Sequence, residues 1–159
     1  MKNIALLTIA FVINIFFSNA VNANNIDPTS TMDTTISVKL RIGTSVYFET
    51  VKDINTETVQ VGNLIQLKVR TNVVVKGKVV IRANTMALGR ISEVSRTTAN
   101  SSGSATIEVR DVQAVDGQLI NLNATYQLSG DCTSGQSCLI RSGFIITAHV
   151  MDNSEIEIE

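Results

Sequence analysis

Ala105-Thr-Ile-Glu-Val-Arg-Asp-Val-Gln-Ala-Val-Asp-Gly-Gln-Leu-Ile-Asn-Leu122 holds both arms of a strand–turn–strand unit. Ala105, Ile107 and Val109 alternate with Thr106, Glu108 and Arg110. Successive strand side chains point to opposite faces, so this alternation sets one face on a core and the other toward water. Asp116-Gly117 then separates Val112–Val115 from Leu119–Leu122. Asp-Gly between two apolar runs suits a type I′ turn and predicts an antiparallel hairpin.

The same period of two recurs outward from this unit. Ile36, Val38, Leu40 and Ile42 alternate with Ser37, Lys39 and Arg41, and Ile65, Leu67 and Val69 alternate with Gln66, Lys68 and Arg70. Phe144, Ile146, Ala148 and Val150 alternate with Ile145, Thr147, His149 and Met151. The β-branched residues in these runs favour strands. Lys76-Gly77, between Val73-Val74-Val75 and Val79-Val80-Ile81, predicts a second hairpin. Val61-Gly62-Asn63 and Arg82-Ala83-Asn84-Thr85 read as turns, and Thr97 to Ser104 as a small polar loop. No stretch beyond residue 23 sustains a helical period. The expected fold is therefore all-β, an antiparallel sandwich or small barrel of about nine to eleven short strands. Ile156 and Ile158 alternate with Glu155, Glu157 and Glu159, which predicts a final strand, paired within the domain or with a partner's edge.

The opening residues have a different grammar. Met1-Lys2, the apolar run Ile4 to Phe17 and the triplet Val21-Asn22-Ala23 match a secretory signal, with Ser18-Asn19-Ala20 as an alternative cleavage site. The run is shorter than the roughly 20 residues of a membrane span. No Cys lies near either site, which points to a soluble exported protein rather than a lipid-anchored one. The expected organisation is a signal peptide at 1–23, a flexible lead-in at 24–34 and a single all-β domain at 35–159. The destination is the periplasm or the cell exterior.

The whole chain has 13 Lys and Arg against 14 Asp and Glu, and Lys2 would leave with the signal. A balance this close to neutral argues against nucleic-acid and membrane-surface binding, which call for a basic excess. Beyond residue 23 the only aromatics are Tyr47, Phe48, Tyr126 and Phe144, too few to spare for stacking bases. The two cysteines, Cys132 and Cys138, are predicted to form a disulfide, as an even count in an exported chain implies. The loop between them is short, so the bridge would stiffen a local excursion more than hold the fold together. Its five-residue spacing is not that of a redox motif, and a single histidine, His149, falls short of a metal-ligand set.

Gly43-Thr-Ser-Val46-Tyr-Phe48, Val61-Gly62-Asn-Leu-Ile65-Gln-Leu67-Lys-Val69 and Val73-Val-Val75-Lys-Gly77-Lys-Val79-Val-Ile81 lie in order along the chain. Thr85-Met-Ala87-Leu-Gly89-Arg-Ile91, Ile107-Glu-Val109, Val112-Gln-Ala-Val-Asp116-Gly117-Gln, Ile120-Asn-Leu122 and Phe144-Ile-Ile-Thr-Ala148-His-Val150 continue it. Together they resemble a widespread, poorly characterised family of small exported bacterial β-domains, over residues 36 to 158. A more distant, pattern-level likeness is to the β-barrel domain of the TrbI family of conjugation and type IV secretion channel proteins. The resemblance implies a fold and an export route, and no reaction. Where that family usually has a Pro and a Gly after Ile81, this chain has Arg82-Ala83-Asn84. Asn tolerates a left-handed backbone best among non-glycine residues, so Asn84 is expected to keep the turn.

Candidate chemistry is thin. Glu108, Asp111 and Asp116 lie close in sequence and could pair as general acid and base, but a turn and a solvent face account for Asp116 and Glu108. His149 has neither a nucleophile in a recognisable motif nor an orienting partner in sequence. Asn100-Ser-Ser and Asn123-Ala-Thr fit a glycosylation pattern that a bacterial resemblance makes a chance match. Between Thr58 and Ser92 lie Lys68, Arg70, Lys76, Lys78, Arg82 and Arg90 and no acid, a possible basic interaction patch. The tail from Asp152 to Glu159 carries four acids. As neighbours the two segments would pair; on different faces they would make the domain electrically polar, able to pack head-to-tail or meet an anionic surface.

The expected function is non-enzymatic: a binding or assembly module of the bacterial cell envelope, with envelope proteins or copies of itself as partners and no cofactor. The alternative is a small-molecule or lipid carrier with a cavity in the barrel.

Overall fold

The computed structural model describes residues 35–98, 101–129 and 139–158. These form twelve strands and no helix. In chain order they are β1 (Ile36–Leu40), β2 (Ser45–Thr50), β3 (Ile54–Asn55), β4 (Leu64–Val69), β5 (Val73–Val75), β6 (Lys78–Ile81), β7 (Met86–Ser95), β8 (Ser104–Gln113), β9 (Leu119–Ser129), β10 (Leu139–Ile140), β11 (Ile145–Val150) and β12 (Ser154–Ile158). Six of them close into an antiparallel barrel in the order β11-β2-β4-β7-β8-β9. The all-β expectation holds, and of its two architectures the chain adopts the barrel.

Each wall strand sends alternate residues inward. Val46 and Phe48 of β2, Leu67 and Val69 of β4, Ile107 and Val109 of β8, and Ile146, Ala148 and Val150 of β11 are buried. Six strands leave little interior width, and the inward side chains fill it. On β7 the inward set is Ala87, Gly89 and Ile91. A Cβ at Gly89 would come within 2.6 Å of Ile107 Cγ2 and 3.1 Å of Leu67 Cδ1, so the small residue there admits larger neighbours across the barrel.

One end is lidded. The chain turns a corner between β1 and β2 and another between β11 and β12, where Ile42 N donates to Asn153 Oδ1 at 3.2 Å. The β2–β11 ladder thereby continues, bent, as the β1–β12 ribbon, with Ile36 opposite Ile158 and Val38 opposite Ile156. Val38, Leu40 and Ile156 face the core, as the alternation of residues 36–40 and 155–158 requires. The expected final strand exists and pairs within the domain. The β5–β6 hairpin lies at the same end and buries Val80 and Ile81.

Both predicted hairpins form, and the Asp116-Gly117 turn differs from its sequence reading. Asp116-Gly117 is not a type I′ turn: only Gly117 has a positive φ, +88°. Gly117 N donates to Ala114 O and Ala114 N to Gln118 O, closing a three-residue loop with a left-handed glycine as its last member. Lys76 and Gly77 have φ of 50° and 77°, and there both central residues take the I′ signs in a two-residue loop. Asn84, at φ 65°, stands in the left-handed region as expected.

The opposite end is closed by loops and the two-residue pairing of β3 with β10, which bury Ile54, Val59 and Ile140. Polar side chains tie it. The Arg96 guanidinium donates to Thr56 O, and at 3.2 Å to Val59 O. Thr97 N donates to Glu57 Oε1, and Ser142 N to Asp53 Oδ1 at 2.7 Å.

Candidate functional site

The six bases of the predicted patch fall on two parts of the molecule, the wall strands and the β5–β6 hairpin with its flanks. Lys68 points out from β4 and pairs with Glu49 at 2.8 Å. Arg90 stands on β7 opposite Glu108 in register, four residues further toward the looped end than Met86. Arg70, Lys76, Lys78 and Arg82 are exposed on the segments that enter, form and leave the hairpin at the lidded end. None of these four pairs with a described acid.

The basic run and the acidic tail meet in a groove of about 780 Å³ between hairpin and ribbon, lined by Asn72, Lys78, Val79, Arg82, Val115, Asp116, Glu157 and Ile158 among others. They are neighbours, yet no ion pair joins them among the described residues. Glu155 instead accepts from Ser37 Oγ at 2.8 Å and stands opposite Lys39. Asp116 is occupied structurally: Gln118 N donates to Oδ1 at 3.0 Å and Glu157 N to Oδ2 at 3.1 Å. One carboxylate therefore shapes the turn and pins the lid to it.

The other carboxylates of the sequence reading do not converge with it. Glu108 pairs with Arg110 at 3.0 Å on the wall, and Asp111 is exposed beyond the bulge in β8. Cys132 and Cys138 lie outside the described residues. Among the described residues no cluster of three or more His, Cys, Asp or Glu could hold a metal ion, and no helix is long and apolar enough to cross a membrane.

Three arrangements escaped sequence reasoning. His149 has a hydroxyl partner: Ser45 Oγ lies 3.3 Å from its Nδ1, across the β2–β11 register. The pair sits on an open outer face, and among the described residues no carboxylate bonds to the ring as the third group of a nucleophilic triad would. Leu64, Met86 and Leu88 stand outward on the adjoining strands β4 and β7, 62%, 53% and 54% exposed. The available signal was their parity: Leu64 is out of step with Ile65, Leu67 and Val69, and Met86 and Leu88 with Ala87, Gly89 and Ile91. Last, Tyr126 and Phe144 meet with ring centroids 6.1 Å apart, tilted by 60°, across the line where the barrel closes.

At the looped end two acids titrate below the usual carboxylate range. For Asp53 the main cause is the hydrogen bond from Ser142 N, with the Ser142 hydroxyl adding to it; desolvation opposes, and Arg141 makes the smallest contribution. For Glu57 it is the hydrogen bond from Thr97 N, then the Thr97 side chain, with Arg96 contributing. Both carboxylates hold loops in place.

No model of a known protein family matches the chain, and no curated protein matches it in sequence.

Proposed function

We propose that the domain is an exported, non-enzymatic binding or assembly module of the bacterial cell envelope, acting through its outer surface. The observation that carries this reading is the filled interior. Phe48, Leu67, Ile91, Ile107 and Ile146 are wholly buried inside or against the barrel, so contact with a partner falls outside. The wall there exposes Leu64, Met86 and Leu88, and apolar side chains grouped on a surface favour protein association. Arg70, Lys76, Lys78 and Arg82, which pair with no acid among the described residues, add positive charge at the lidded end, suited to an acidic partner or polymer. A carrier needs room inside the barrel, and that reading has less support.

A photo-crosslinking residue at Leu88, expressed in the native cells, tests this. A discrete adduct in the envelope fraction, lost when Met86 and Leu64 are changed to Ser, is the expected result. Absence of any adduct, together with hydrolase turnover abolished by Ser45→Ala, would overturn it.

A further inference from the structure

We infer that the barrel wall is gated: it opens as a unit between β9 and β11, converting the closed barrel into a six-stranded open sheet while every other ladder stays intact. The ladders differ in extent. β8 and β9 share nine residue pairs, β7 and β8 six, β4 and β7 five, β2 and β11 five, and β2 and β4 three. β9 and β11 share two, Asn123 with His149 and Leu122 with Val150, plus one flanking bond from Met151 N to Asn121 O.

Beyond Asn123 the described residues of β9 pair with β8 alone. On the other side of β11 the ladder to β2 runs on past the strand, with Thr50 N donating to Phe144 O and Gly143 N to Thr50 O. Side chains span the seam at spaced points. Tyr126 and Phe144 meet at one end, Asn121 Nδ2 donates to Asp152 Oδ2 at 3.1 Å near the other, and Asp116 accepts from Glu157 N at the lid. Exposed contacts of this kind hold a closed state without deep burial. Opening therefore breaks few backbone bonds, and cooperative units of a fold separate where such bonds are fewest. It would bare the edges of β9 and β11 and uncover Leu122, Ala124 and Val150.

Native-state hydrogen exchange on the full chain tests the gate. The amides of Asn123, His149 and Met151 are expected to exchange at least about tenfold faster than those of Ile107 and Val109, which lie between two full ladders. Phe144→Ala should speed the first set and leave the second unchanged. Asn123→His would place two exposed imidazoles on cross-strand partners, His149 being the other. Added Ni²⁺ should then slow the seam amides alone in this variant and change nothing in the wild-type protein. Equal exchange rates at the seam and in β8, or a Ni²⁺ effect shared by both, would show that the barrel opens only by global unfolding. Failure of the variant to bind Ni²⁺ would show that β9 and β11 do not hold this register, and would equally overturn the gate.

Discussion

The two ends of the barrel are closed by different physics. At the lidded end, strands lie across the opening and bury Val38, Leu40, Val80, Ile81 and Ile156. At the looped end only the short β3–β10 pairing and loops cover Ile54, Val59 and Ile140, and side chains bonding to backbone hold those loops: Arg96 on Thr56 and Val59, Glu57 on Thr97, Asp53 on Ser142. Apolar burial is indifferent to pH and to the direction of approach. Hydrogen bonds from loops are directional, and here two of their acceptors are titratable. A small barrel that places only a two-residue strand pair over its second mouth satisfies the loops there with a few polar anchors.

The largest effect should come from the lid. Ile156→Ala removes a fully buried side chain and is expected to cost about 2–5 kcal/mol by denaturant unfolding. A loss as small as that of an exposed residue would mean that the ribbon is not part of the core. Next come the turns at this end. Gly77→Val and Gly117→Val each force a β-branched residue to a positive φ and should cost about 1–3 kcal/mol. An unchanged midpoint in either would refute that turn geometry.

At the looped end Arg96→Ala should cost less, about 1–3 kcal/mol, since it removes hydrogen-bond donors from two part-buried carbonyls but opens no large apolar cavity. If it matched Ile156→Ala, the contrast between the ends would fail. The smallest effect is one of pH. Asp53 and Glu57 have lowered pKa values in the folded chain, so their contribution is complete above the ordinary carboxylate range. It drains away as pH falls through that range toward the folded values. The double variant Asp53→Asn, Glu57→Gln should therefore lose less stability than the wild type between neutral and acid pH. An identical acid limb would remove the pH sensitivity assigned to this end.

Strands were legible because a face that meets a core must alternate, and residues 36–40, 105–110 and 145–150 do. Asn84 was legible because few side chains accept its backbone. The type of the Asp116 turn was not: the same dipeptide serves two- and three-residue loops, and the loop length depends on which residues pair, Ala114 with Gln118. Lys76 offered no hint of a positive φ, because it is the ladder on each side that imposes it. The Ser45–His149 contact joins residues 104 apart in the chain, and register at that distance is written in no local pattern. The six bases read as one run because sequence order ignores where elements pack; a hairpin that leaves the wall carries Lys76 and Lys78 away from Lys68 and Arg90.

The pairing of β1 with β12 and β2 with β11 also sets an order of events. Ser37 and Glu155, hydrogen-bonded across the ribbon, are 118 residues apart. A chain made or threaded through a membrane from its N-terminal side must present β1 and β2 long before their partners arrive. Local hairpins such as β8–β9 have what they need at once, whereas closing the ring waits for residues 145–158. Loop closure over such separations slows folding to the range of milliseconds to seconds typical of non-local β-topologies. Under the export proposed above, that delay keeps the ring unclosed while the chain is threaded through a pore.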